Sequence, residues 1–274
     1  MNEQLKFESP SFIKRIKGML GVDFYRLFHT PLFYIFIAIA AIIPAMILAM
    51  TGMENPTTGE IVKLYDNTWQ VVAASEPIYI VRDIAEYANM NMVYIFGGIM
   101  VSIFIGHDYK SGYVKQLFTT HAKKQDYMIS KTAIGAFSMA CMCVSYLFGT
   151  IIAGVIVQYS FSVNFGSLLI AFLSKIIMSL GWASLYTMLN VIFRRYFGIS
   201  IASCFFFGTG ILIIGVAAIA GNSGLLNIFL YGSSVYACLT SNFLTMLVCI
   251  GISSLWTIIY NLLGTYILSK SDVY

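Results

Sequence analysis

Charge is scarce in this chain. Only 10% of its 274 residues are Asp, Glu, Lys or Arg, against about 25% in an ordinary soluble domain. Hydrophobic residues make up 59%, and the mean hydropathy is +0.81. No polar stretch is long enough to bury a core of its own, so a detached soluble domain is excluded. Phosphate-binding glycine loops are missing, so the chain does not hold ATP in that way, and no H-E-x-x-H occurs. The 3 histidines, His29, His107 and His121, have no metal-ligand partner at helical spacing. The 5 cysteines show no zinc or redox spacing and no disulfide framework. Carboxylates are absent from the apolar runs, which argues against proton or sodium coupling and against an intramembrane enzyme. The start does not read as a secretory signal, because polar and amphipathic residues precede a first apolar run too long for a signal core.

What is present is a succession of apolar runs of bilayer length. The pattern predicts an all-α polytopic membrane protein with six transmembrane helices. The spans fall at about residues 32–50, 89–105, 132–158, 175–194, 197–220 and 243–268. Before them, Ser9-Pro10-Ser11 reads as a helix start. Ile13, Ile16, Leu20, Phe24, Leu27 and Phe28 then share one stripe, with Lys14, Arg15, Tyr25 and Arg26 off it and Lys17 and Asp23 at its margins. Such a helix is expected to lie in the headgroup plane; the alternative is a helix packed on protein. Thr30-Pro31 opens the first span, and Pro44 is expected to kink it.

Lys175 leaves the start of the fourth span open. A span from about residue 167 buries the ammonium. One from Lys175 makes it a snorkelling anchor at the span end, and residues 158–174 then form an outer segment. Residues 221–242 are uncharged and semi-apolar, and are expected to re-enter the outer leaflet.

Charge distribution sets the expected topology. Residues 52–88 carry Glu54, Glu60, Asp66, Glu76, Asp83 and Glu86 against only Lys63 and Arg82, which places them outside the cell; one or two short helices are expected in their second half. Residues 106–131 carry Lys110, Lys115, Lys123, Lys124 and Lys131 against Asp108 and Asp126, which places them in the cytoplasm. Both termini are then cytoplasmic. All Lys and Arg except Lys63, Arg82 and Lys175 fall on that side. Because the basic residues sit beside spans, nucleic-acid binding has no support. The division is a cytoplasmic N-terminus at 1–31, a transmembrane domain at 32–268 and a tail at 269–274.

The loop at 106–131 contains Asp108-Tyr109-x-Ser111-Gly112-x-x-Lys115-x-Leu117-Phe118-Thr119, then Lys123-Lys124-x-x-Tyr127-x-x-Ser130-Lys131. With an elbow helix and six spans around it, this resembles the permease subunit of ATP-binding-cassette exporters of the type-2 permease family. It is most similar in character to permeases for bacteriocin immunity and peptide-toxin export. The family often has proline where His121 stands. The resemblance implies a coupling helix that docks on a separate ATPase subunit through Ser111, Gly112, Tyr113, Val114, Lys115, Gln116, Leu117, Phe118 and Thr119, with Leu117 and Phe118 as apolar plugs. It implies a second permease chain, identical or not, and the bacterial cell membrane. ATP and Mg would be held by the partner, leaving no cofactor, metal or catalytic residue here. An apolar, aromatic pathway would suit a hydrophobic or amphipathic peptide, such as an antimicrobial peptide or toxin. Export of lipid, drug or sodium by the same architecture, and a passive or ion-coupled transporter or channel, are the alternatives.

Overall fold

The computed structural model describes residues 11–50, 67–72, 90–119, 122–162, 164–210, 228–239 and 242–270. They form helices α1 (Phe12–Phe28), α2 (Pro31–Met50), α3 (Met92–Lys110), α4 (Tyr113–Thr119), α5 (Lys124–Val157), α6 (Phe165–Ile192), α7 (Phe197–Gly208), α8 (Leu230–Leu239) and α9 (Phe243–Lys270), with one 3₁₀ turn at Thr68–Val71. Five of them, α2, α3, α5, α6 and α9, are long and apolar enough to cross a membrane. The chain is therefore an α-helical, multi-pass membrane protein in architecture.

Local chemistry sets the ends. Ser11 precedes α1, but its side chain makes no cap bond. Pro31 takes the first position of α2, where the missing N–H costs nothing. Thr30 turns its hydroxyl back to the Arg26 carbonyl at 2.7 Å instead of capping forward. Pro44 lies within one continuous α2. The turn between α3 and α4 needs a glycine: Gly112 sits at φ +74°, where an L side chain is strained.

Several expectations about the spans change. The third does not change: one 34-residue helix begins at Lys124 and carries the expected span, as a helix starting near Lys123 and rising into it predicts. The fourth begins at Phe165, so Lys175 lies inside α6 and is fully buried, and no separate outer segment precedes it apart from the short 158–164 connection. The fifth is described only at its start. There α7 has 12 residues and ends before Gly210, which adopts φ +69°; about 18 Å of helix is by itself short of a bilayer. The second half of that expected span lies outside the described residues. Part of the expected re-entrant stretch, α8, is helical and packs with its early residues buried against α6. Of the outer loop only the turn at Thr68–Val71 is described. Asn67 caps it, and Trp69 stacks edge-on against Phe161.

Close helix crossings build the interior. α2 lies against α5 where Gly149 leaves room for the Ala41 carbonyl, and Ser145 donates to the Ile37 carbonyl at 2.8 Å. Between α3 and α6, Tyr94, Trp182 and Tyr186 stack with centroids 5.5 and 5.6 Å apart. Asn190 of α6 donates to Ser102 of α3 at 3.1 Å and accepts from Ser200 of α7. Polar groups thus bind these three helices where apolar burial supplies little driving force.

A Cβ at Gly149 would stand 2.1 Å from the Ala41 carbonyl oxygen, and backbone cannot swing aside as a side chain can. Gly149→Ala is therefore expected to destabilise by about 1–3 kcal/mol through overpacking. Gly251→Ala, at an exposed helical site with nothing within 4 Å, should be neutral or slightly stabilising. Thermal unfolding of the two variants in detergent checks the pair.

Candidate functional site

Asp23 of α1, Asp108 of α3 and Lys131 of α5 are far apart in sequence and meet at one end of the bundle, all at most 2% exposed. The Lys131 ammonium lies between the two carboxylates, 2.6 Å from Asp23 and 2.7 Å from Asp108. Arg26, one turn after Asp23, pairs with Asp108 and approaches Asp23 at 3.5 Å. Ser130 donates to Asp23 at 2.7 Å. Two carboxylates face two cations, so the group is close to neutral. That balance is what allows its burial.

Aromatic rings close the cluster. Arg26 stands 4.4 Å from the Tyr113 centroid and 5.2 Å from that of Phe104; Lys131 stands 4.8 Å from that of Phe104. Ring faces add attraction for both cations. Burial pulls the Arg26 pKa down, but the hydrogen bond and charge of Asp108 and the charge of Asp23 outweigh it, and the guanidinium is held above its ordinary value. Half-buried Tyr113 is also raised, by burial first and then by Asp23, so it stays a neutral phenol. A second pair, Arg15 with Asp126 at 2.7 Å, joins α1 to the first turn of α5.

These contacts seat α1 on the bundle. Its inward side carries Asp23 and Leu27, with Leu20 and Phe24 packed on the core, and Phe24 meets Phe137 edge-on at 4.9 Å. Phe12, Ile13, Val22, Tyr25 and Phe28 remain exposed. The expected headgroup helix is thus also a packing helix, and the charge at the margin of its stripe points into protein.

α4 sits beside the cluster and contributes Tyr113 to it. Two residues, Ser111 and Gly112, separate α4 from α3, and residues 120–123 separate it from α5. Of the expected contact residues, Val114 is buried among Tyr127, Met128, Val191 and Leu268. Leu117 and Phe118 are half-buried against the same group, with Phe118 edge-on to Tyr127 at 5.8 Å. Tyr113 and Gly112 are half-buried, whereas Ser111, Lys115, Gln116 and Thr119 are exposed. The outward face of α4 is therefore polar, and the two apolar residues expected to project from it are turned largely toward the bundle. His121 lies outside the described residues. Lys124 ties the same end to α9, donating to the Leu268 carbonyl at 2.8 Å.

Sequence reasoning found α4 but missed the cluster. Its one available signal was Asp23, an acid on an otherwise basic amphipathic helix. No family model matches this chain, and no curated protein matches it.

Removing Lys131 alone leaves Asp23 and Asp108 buried together with Arg26 as their only cation in the cluster. Lys131→Met should cost about 3–5 kcal/mol, the range for breaking one partner of a buried pair. Asp23→Asn combined with Lys131→Met keeps the Arg26–Asp108 pair and restores neutrality, so the double variant should be more stable than Lys131→Met. Thermal midpoints around this cycle check the coupling; additive losses would mean that the charges do not act together.

Proposed function

We propose that this chain is the membrane-spanning subunit of an ATP-driven exporter. It would form the translocation pathway with a second permease chain, of the same or different sequence, and be driven by a separate ATPase subunit that holds ATP and Mg. The reading takes α1 as an elbow helix, counts six crossings with α7 beginning the fifth, and sets both termini in the cytoplasm of a bacterial cell. The resemblance of residues 106–131 to type-2 permeases supports it.

One observation carries the proposal. A seven-residue helix with a packed inner face and a polar outer face joins the ends of two long apolar helices. The buried ion cluster locks those same ends to α1. A load on α4 would reach α3 and α5 through connections only a few residues long, and reach α1 through charges that cannot separate cheaply. The polar outer face fits a protein surface better than lipid.

The cargo we assign is an amphipathic or hydrophobic peptide, of the antimicrobial or toxin kind. Support comes from an interior that, among the described residues, is built of Tyr94, Trp182 and Tyr186 with few ionisable groups away from the charged end. Such surfaces suit an apolar chain better than a strongly hydrated solute.

Lys115 and Gln116 test the docking face more cleanly than Leu117 and Phe118, whose replacement by Asp would also disturb the core. Lys115→Glu with Gln116→Glu should cut recovery of a co-expressed ATPase subunit about tenfold or more, as expected if a contact worth about 1.4 kcal/mol is lost. The thermal midpoint of the chain itself should hold. Undiminished ATPase recovery would remove α4 as the docking element. Uphill transport by the chain alone would remove the exporter reading.

A further inference from the structure

The corner where α3, α6 and α7 meet gathers cations that the ion cluster does not use. α6 ends at Ile192 and α7 begins at Phe197, so the chain turns within residues 193–196. The Tyr196 amide donates to the Phe193 carbonyl at 2.8 Å and closes that turn. The Phe197 ring then lies on Gly106 of α3, in the place that a Cβ would take. Lys110 follows Gly106 by one turn on the same side of α3. Asp108 projects from the opposite side, into the ion cluster. Arg194 is near enough for its charge to reach the buried Tyr109 hydroxyl. Lys110, Arg194 and Arg195 are therefore brought to one corner by two separate parts of the chain.

Exposure and side-chain type indicate what that corner faces. Lys110 and Arg195 are exposed and Arg194 is half-buried. The rings beside them are exposed too, Tyr196 by 63%. α7 then presents Ile199, Ala202 and Phe206 as an exposed apolar stripe at i, i+3 and i+7. Cations, then rings, then an apolar stripe is the order met on passing from lipid phosphates to acyl chains. A lipid covers both the cations and the stripe. A protein docked on the end of the bundle covers only the first.

We propose that this corner seats the anionic headgroup of a phospholipid. The Arg195 guanidinium takes two phosphate oxygens, Lys110 adds its charge from the neighbouring helix, and an acyl chain runs along Ile199, Ala202 and Phe206. A lipid so placed bridges α3 and α7. It adds to the Phe197 ring on Gly106 and to the bond from the Ser102 hydroxyl to the Cys204 thiol at 3.1 Å. The assignment does not depend on what the chain transports.

The test uses the full chain in a neutral detergent, with phosphatidylglycerol or phosphatidylcholine added to the micelles. Phosphatidylglycerol should raise the thermal midpoint saturably and slow hydrogen exchange at residues 197–208; phosphatidylcholine should do neither. Lys110→Gln with Arg195→Gln should weaken the apparent affinity for phosphatidylglycerol about tenfold or more, and Lys110→Arg should keep it. Lys14→Gln with Lys17→Gln removes the same charge from the exposed side of α1 and should leave the response intact. Equal responses to the two lipids, or no slowing at 197–208, would overturn the inference. Equal loss in the α1 variant would also overturn it, by reducing the effect to overall surface charge. An equal rise with inorganic phosphate would assign the corner to a free anion instead. If phosphatidylglycerol does nothing while Lys110→Gln with Arg195→Gln cuts recovery of a co-expressed ATPase, the corner is a protein contact and the lipid is ruled out. Should the double variant fail to fold, exchange at 197–208 in the unaltered chain still decides.

Discussion

Charge neutrality inside a nearly dry cluster is the constraint on which this architecture turns. Asp23, Arg26, Asp108 and Lys131 come from three helices, and none of the carboxylates can be withdrawn without leaving a cation uncompensated. Buried pairs are poor sources of net stability, because desolvation consumes most of the Coulomb gain. What they impose is geometry. A misplaced α1 costs far more than one held by apolar contacts alone, so its register against α3 and α5 is tightly specified. Phe104 and Tyr113 shield the cluster, and Tyr113 brings α4 into the same unit.

The rest of the bundle is joined by weaker means. Gly149 admits a carbonyl of α2, Ser145 and Asn190 supply single hydrogen bonds, and the Tyr94–Trp182–Tyr186 stack fills the space between α3 and α6. Each can slide or repack by small steps. The ion cluster cannot do so without exposing charge. The charged fastening thus lies at the end that carries α4. On the proposed exporter reading, a docked ATPase would act on that end.

Long apolar runs were easy to read, because length and hydropathy report membrane helices whatever their partners. α2 and α9 fall almost where periodicity set them, and the short helix after Gly112 was recognisable from its turn glycine and the residues that follow. The ion cluster was not legible. Counting Lys131 and Asp108 as loop charges uses only their sign, whereas their role depends on contacts across more than a hundred residues, such as Lys131 to Asp23. Within residues 106–131 the expected short helix to Thr119 and the helix starting near Lys123 are both present, as α4 and the start of α5. Leu117 and Phe118 were expected as docking plugs only through the family resemblance; in the fold they are half-buried, because a short helix laid on a bundle packs its apolar pair against it. The break after α7 had a signal in Gly208 and Gly210, which hydropathy averaging smoothed away.

Lys131 and Lys175 show how one residue type carries two meanings in a low-dielectric interior. Both are buried, both belong to long apolar helices, and neither can be told from the other by composition. The first has its counter-charges within the fold, so its interaction is complete and it works as a fastener. The second rests on an amide and a carbonyl, which orient an ammonium but do not cancel its charge. A fold that only needed a hydrogen-bond donor at that position could have used a neutral side chain at lower desolvation cost.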